Sequence, residues 1–275
     1  MYHVSFPKLG IELTINPIAF SIGDFNIYWY GIIIATGFTI ALCYAMINSK
    51  RFGIVQDKLI DAIIAGLITG IIGARLYYVV FYPGNTYINN PASIFQIHEG
   101  GLAIYGGIIG GLTGGIIVAK IKNINIPSIL DIAALGFLIG QCIGRWGNFI
   151  NQEAFGTETN LPWGMVSENT LLETSNPVHP CFLYESLWCL LGFIFLDIFS
   201  RKFKKYNGQI FLLYIVWYGT ERFFVEGLRT DSLLLPYVNL RVSQVLAAVS
   251  IVISVIILIY FKNKKNHAKK ILNRG

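Results

Sequence analysis

The sequence predicts an all-α integral membrane protein with about seven transmembrane helices, a small outer-face head, an external N-terminus and a cytoplasmic C-terminus. Three observations carry that prediction. Of 275 residues, 54% are hydrophobic and 13% charged, a charged share about half that of an ordinary soluble domain. Apolar runs of roughly 20 residues recur along the chain, each long enough to cross a hydrocarbon core. Basic residues gather in alternate connections, as the positive-inside rule requires.

The spans fall at about 27–47, 58–81, 102–121, 128–150, 183–200, 209–227 and 242–261, all within a single polytopic membrane domain, 1–275. Residues 1–26 lead into the first span from the outer surface, and no cleavable signal peptide is expected. Lys50, Arg51 and Lys58 separate spans one and two; Lys120 and Lys122 separate three and four; Arg201, Lys202, Lys204 and Lys205 separate five and six. A basic tail containing Lys262, Lys264, Lys265, Lys269, Lys270 and Arg274 follows the last span. Connections 82–101 and 151–182 contain neither Lys nor Arg, and so lie outside. The second is long for a loop in a compact domain and reads as the outer-face head.

Small residues pattern two spans. Gly106, Gly107, Gly110, Gly111, Gly114 and Gly115 place glycine pairs every four residues in span three, and Gly136, Gly140 and Gly144 repeat that spacing in span four. Such stripes let helix backbones approach closely in lipid. Gly100 and Gly101, at the mouth of span three, instead shape backbone around a ligand. Cys43, Cys142, Cys181 and Cys189 lack metal-ligand spacing and read as small buried hydrophobes. No metal, cofactor, serine nucleophile or P-loop is called for. Asp61 and Asp131, near cytoplasmic helix ends, read as structural.

Topology leaves six basic residues unexplained: Lys8, Arg75, Arg145, Arg222, Arg229 and Arg241. The net charge of +6 is therefore anchors plus an arginine cluster, not a nucleic-acid footprint. Arg145 stands in an apolar run where an unpaired guanidinium costs several kcal/mol. Arg75, Arg145 and Arg222 each lie five or six residues from an outer span end, roughly 8–10 Å deep at ~1.5 Å per residue. Three cations at one depth repel unless an anion is shared, and a phospholipid headgroup is an anion available there. Arg222, Glu226 and Arg229 share a helix face, so Glu226 can orient either arginine. A purely structural ion-pair ladder is the competing reading. Arg75 has two further readings, snorkelling or helix pairing. Trp29 and Tyr30 read equally as interfacial aromatics or as headgroup contacts. His98 and Glu99 read as a surface pair. His179, with Glu185, reads as a proton acceptor or as a packing and capping residue.

These motifs carry a resemblance. Gly144-Arg145-Trp146-Gly147-Asn148-Phe149-Ile150-Asn151, followed by Glu153 and Gly156, is similar to the hallmark of the prolipoprotein diacylglyceryl transferase family. Tyr28-Trp29-Tyr30-Gly31, Arg75, Gly100-Gly101 through Gly106-Gly107, His179-Pro180 with Tyr184-Glu185, and Tyr218 through Arg229 occur in that family's order, so the resemblance spans about 20–260. It implies transfer of the diacylglyceryl group of phosphatidylglycerol to the lipobox cysteine thiol of a prolipoprotein signal peptide. The products are a thioether and glycerol phosphate. The implied setting is the bacterial cytoplasmic membrane, with the site towards the outer leaflet.

By the same resemblance Arg145 holds the headgroup and Arg222, oriented by Glu226, is the second essential cation. Asn148, Glu153, Tyr30 and Gly156 shape the site, with Gly100, Gly101, Arg229 and Arg75 as further lipid contacts. Many family members carry a histidine after the Gly-Gly; this chain has Tyr105 there, so a histidine base at that place does not apply. Tyr105 orients the headgroup or relays a proton, His179 and Glu185 are alternative acceptors, and arginines near the thiol favour its ionisation. The rival from another class is an anion or lipid transporter using the arginines as a path. Against it, the buried cations lie on one side and no inverted repeat is present.

Overall fold

A computed structural model describes residues 1–84, 86–96, 100–230, 234 and 240–272. His98 and Glu99 lie outside the described residues. The elements run β1 (Tyr2–Phe6), β2 (Ile11–Ile15), β3 (Ile18–Ile22), β4 (Phe25–Tyr28), α1 (Trp29–Asn48), α2 (Gln56–Phe81), α3 (Thr86–Asn89), α4 (Ile104–Ile121), α5 (Ile126–Asn151), β5 (Val166–Ser167), α6 (Glu168–Leu171), α7 (Cys181–Lys202), α8 (Gln209–Leu228) and α9 (Val242–Leu272). Every predicted span is a helix, with ends moved by a few residues except at α9, which runs on into the basic tail.

Among the described residues, six helices are long and apolar enough to cross a membrane: those starting at Trp29, Gln56, Ile104, Ile126, Cys181 and Val242. The expected count of seven is thus met by six. The remaining predicted span, α8, is a 20-residue helix whose Glu221, Arg222 and Glu226 dilute its apolar character. Side chains such as Ile72, Ile109, Leu191 and Ile256 are exposed on these helices. Exposed apolar surface on this scale suits lipid rather than water. The chain is a mostly helical, multi-pass membrane protein.

Two compact units divide it, Met46–Leu130 and the remainder. Within Met46–Leu130, α2 packs along α4. A Cβ on Gly73 would strike the Gly106 carbonyl and approach the Gly110 Cα to 3.0 Å; one on Gly110 would strike the Thr69 carbonyl. The glycine stripe of span three therefore meets backbone, as its spacing suggested. Lys122 pairs with Asp61 at 2.8 Å across the same two helices.

In the other unit, α8 packs between α7 and α9. Trp188 and Trp217 each donate an indole N–H to the other's carbonyl at 3.0 Å, their rings stacked at 4.7 Å, which fixes α7 against α8. Asp131 on α5 is fully buried and accepts from the backbone N–H of Gly208 (2.8 Å) and Phe211 (3.0 Å), with Lys204 at 2.9 Å. Its structural role holds, but the helix start it caps is that of α8, not its own.

The N-terminal lead-in is β structure that the sequence reading did not anticipate. β1 pairs antiparallel with β2 and with β5 from the 151–182 connection, and β3 pairs with β4. Val4, Phe149, Phe155, Met165, Val178 and Phe182 make the core of this cap. It joins the C-terminal end of α5 to the N-terminal end of α7.

Candidate active site

The site is built where α5, α7 and α8 meet the cap. Glu185 on α7 is fully buried. Its Oε2 touches the Arg145 Nη2 of α5 and stands 3.9 Å from the Arg222 Nη1 of α8; its Oε1 stands 4.0 Å from Arg229 Nη1. Arg222 also pairs with Glu226 at 2.6 Å, the i,i+4 partnership expected from the sequence. The three arginines keep 17%, 22% and 13% of their side chains exposed, whereas Glu185 keeps 1%. One buried carboxylate thus gathers three arginines that each remain partly exposed. That arrangement suits an anionic ligand, because three guanidinium groups meet at one carboxylate and keep part of their surface accessible.

Asn148 links the cluster to the cap. Its Oδ1 lies 3.5 Å from Arg145 Nη1 and its Nδ2 donates to Glu153 Oε1 at 2.7 Å. Gln152 (φ 53°) and Ala154 (φ 58°) flank Glu153 in left-handed backbone, a strained conformation held where α5 ends. Tyr30 on α1 lays its ring on Gly147, where a Cβ would come within 2.8 Å. It lies within electrostatic reach of Glu153 and Arg145. Tyr218 on α8 stacks on Tyr214 at 5.8 Å and faces Arg145, Arg222 and Glu185.

Gly156 serves packing more than ligand shaping. A Cβ there would sit 2.8 Å from His179 Cβ, 2.9 Å from Cys181 Sγ and 3.2 Å from the Leu228 carbonyl. Its N–H donates to His179 O at 2.9 Å, Thr157 donates to Leu228 O at 2.7 Å, and Gly156 bridges to Arg229. The cap is thereby tied to the end of α8 that carries the third arginine.

His179, Arg75, Gly100 and Gly101 each have protein partners of their own. Tyr184 OH accepts from Trp163 Nε1 at 2.7 Å and hydrogen-bonds His179 Nδ1 at 3.1 Å. Burial lowers the His179 pKa. The Tyr184 bond, with the Gly156 N–H on its carbonyl, ties His179 into the cap. Arg75, in the other unit, donates to the carbonyls of Ile94 (2.8 Å), Gly100 (2.8 Å), Gly101 (3.0 Å), Ser93 (2.6 Å) and Gln96 (3.3 Å). All its guanidinium hydrogens are used, leaving none for a phosphate. Gly100 (φ 89°) and Gly101 (φ 75°) follow from this, because they turn the chain so that their carbonyls reach Arg75. Tyr105 opens α4 half-exposed, near Tyr77 at 6.5 Å, in the same unit.

Sequence reasoning undervalued Glu185 and passed over Tyr218 and Glu221. The signal for Glu185 was present, since it is a carboxylate in an apolar span, far from the basic cytoplasmic end that holds Asp197, and needs a cation.

Fold and site together define a multi-pass helical membrane protein with an arginine–carboxylate cluster held between helices. The chain matches the family model for prolipoprotein diacylglyceryl transferase over residues 17–260. It is 45% identical over 251 residues to the phosphatidylglycerol–prolipoprotein diacylglyceryl transferase of Clostridioides difficile (strain 630), covering 90% of this chain and 97% of that one. The same-named proteins of Staphylococcus haemolyticus (strain JCSC1435) and Bacillus velezensis (strain DSM 23117 / BGSC 10A6 / LMG 26770 / FZB42) are 46% and 42% identical. The first match covers 91% of this chain and 89% of the relative, the second 93% and 95%. This chain belongs to the prolipoprotein diacylglyceryl transferase family.

Proposed function

We propose that this chain transfers the diacylglyceryl group of phosphatidylglycerol to the thiol of a prolipoprotein's lipobox cysteine, the first step of lipoprotein maturation. Family membership supports the reaction, and the convergence of Arg145, Arg222 and Arg229 on Glu185 supports its location. Sulfur attacks the glyceryl carbon attached to the phosphate oxygen. The carbon–oxygen bond breaks, and glycerol phosphate leaves with one more negative charge than the diester carried. Guanidinium groups already in place around that phosphate stabilise the developing charge without reorganising. Asn148, Glu153 and Tyr30 offer hydrogen-bond partners to the headgroup glycerol.

The membrane setting is part of the same reading. Seven spans with α8 among them, an external N-terminus and a cytoplasmic C-terminus put the cluster under the outer leaflet of the cell membrane. The basic residues between spans one and two, three and four, and five and six, against none in 82–101 and 151–182, support this. Within the bundle α8 can carry its three charges, because Glu221 and Glu226 are buried in protein and Arg222 is paired, rather than facing lipid.

The test is turnover. Purified protein, phosphatidylglycerol and a lipobox peptide should yield glycerol phosphate and thioether peptide in equal amounts, and Arg145→Ala should lower the rate about 10²–10³-fold. Unchanged release in Arg145→Ala would exclude this site. Movement of labelled anion across sealed vesicles without consumption of phosphatidylglycerol would make the protein a transporter instead.

A further inference from the structure

Glu221 on α8 is 4% exposed, and among the described residues neither carboxyl oxygen has a hydrogen-bond partner. Nor does an ion pair hold it among the described residues, although it stands next to Arg222 in the cluster. A buried carboxyl without a partner is costly to keep unless it has a use. Its charged and titratable neighbours are Arg145 from α5, Glu185 and Cys189 from α7, and Tyr214, Tyr218, Arg222 and Arg229 from α8 and its C-cap. The other candidate bases are engaged. Glu185 faces three arginines, Glu226 pairs with Arg222, Glu153 accepts from Asn148, and His179 Nδ1 is hydrogen-bonded to Tyr184 OH.

We propose that Glu221 is the proton acceptor of the transfer reaction, taking the lipobox thiol's hydrogen directly or across one water. This rests on the transferase reading above. The S–H bond gives its proton to the Glu221 carboxylate, and the sulfur electron pair forms the S–C bond. The C–O pair stays on phosphate, turning a diester monoanion into a monoester dianion. Charge balances locally. Ionised Glu221 adds one negative charge beside the arginines. Protonating Glu221 removes one negative charge from the cluster as the leaving group gains one. The proton then departs with the glycerol phosphate, whose second ionisation near pH ~6 lets it share that proton with water, and Glu221 is reset.

The test compares wild type, Glu221→Gln and Glu221→Asp in phosphatidylglycerol nanodiscs with a lipobox peptide. Glycerol phosphate release is followed from about pH 6 to 9, beside separate phosphatidylglycerol binding. Glu221→Gln should bind lipid like wild type yet turn over about 100-fold more slowly at neutral pH. Its rate should climb about tenfold per pH unit towards the free thiol's pKa of ~8.5, because solvent must then supply the thiolate. Glu221→Asp should recover part of the rate with a wild-type pH profile. A wild-type rate or profile in Glu221→Gln overturns the proposal. So does parallel loss of lipid binding and turnover, which would make Glu221 structural. Absence of glycerol phosphate from wild type would overturn the transferase reading itself.

Discussion

Gly156 needs space, not backbone freedom, because three groups from the cap, α7 and α8 converge where its Cβ would be. Gly156→Ala should therefore cost about 1–3 kcal/mol by overpacking and loosen the tie to Arg229. Thermal unfolding in detergent reads this directly, and an unshifted midpoint would contradict it. His179 gives a pH signature. Burial lowers its pKa from 6.5, so the folded cap prefers the neutral ring. That stabilisation is present above 6.5 and is lost as pH falls through the depressed value. Wild type should lose stability in that window and His179→Asn should not; identical profiles would refute the assignment. Arg145, Arg222 and Glu226 were legible in the sequence, because a charge inside an apolar run demands a partner and i,i+4 spacing supplies one. Glu221 was not. Only the tertiary packing of α8 shows that its carboxyl is buried while its neighbour Arg222 is paired.

Among the elements, α2 and α4 depend on backbone contact, so bulk at the crossing should separate them. Gly110→Val puts side chain where the Thr69 carbonyl lies, and we expect about 1–3 kcal/mol of destabilisation, measured by unfolding in detergent. Retained stability would mean that the stripe is not a packing device. Arg75→Lys should lower stability rather than lipid affinity. An ammonium has three donors where the guanidinium makes five hydrogen bonds to carbonyls. A selective loss of phosphatidylglycerol binding would return Arg75 to the lipid site. The glycine periodicity announced the α2–α4 contact, whereas Arg75's partners lie 18–26 residues further on, beyond any local pattern. The N-terminal strands escaped notice for a similar reason, since β1 is held by pairing with β5 more than 150 residues away.

Across the molecule, the helices were readable because lipid demands long apolar runs, and hydropathy records them directly. What hydropathy does not record is the convergence of α5, α7 and α8 on one buried carboxylate, which depends on helix rotation and on the cap joining α5 to α7. The central claim is that these three helices together present a single phosphate site. The most direct measurement is phosphatidylglycerol affinity for wild type, Arg145→Ala, Arg222→Ala and the double variant, with phosphatidylcholine as the neutral-headgroup control. Each single variant should weaken binding by about 2–3 kcal/mol, and the double by clearly less than the sum, because both arginines act on one ligand and one counter-ion. Wild-type affinity in both single variants, or strict additivity in the double, would contradict a shared phosphate.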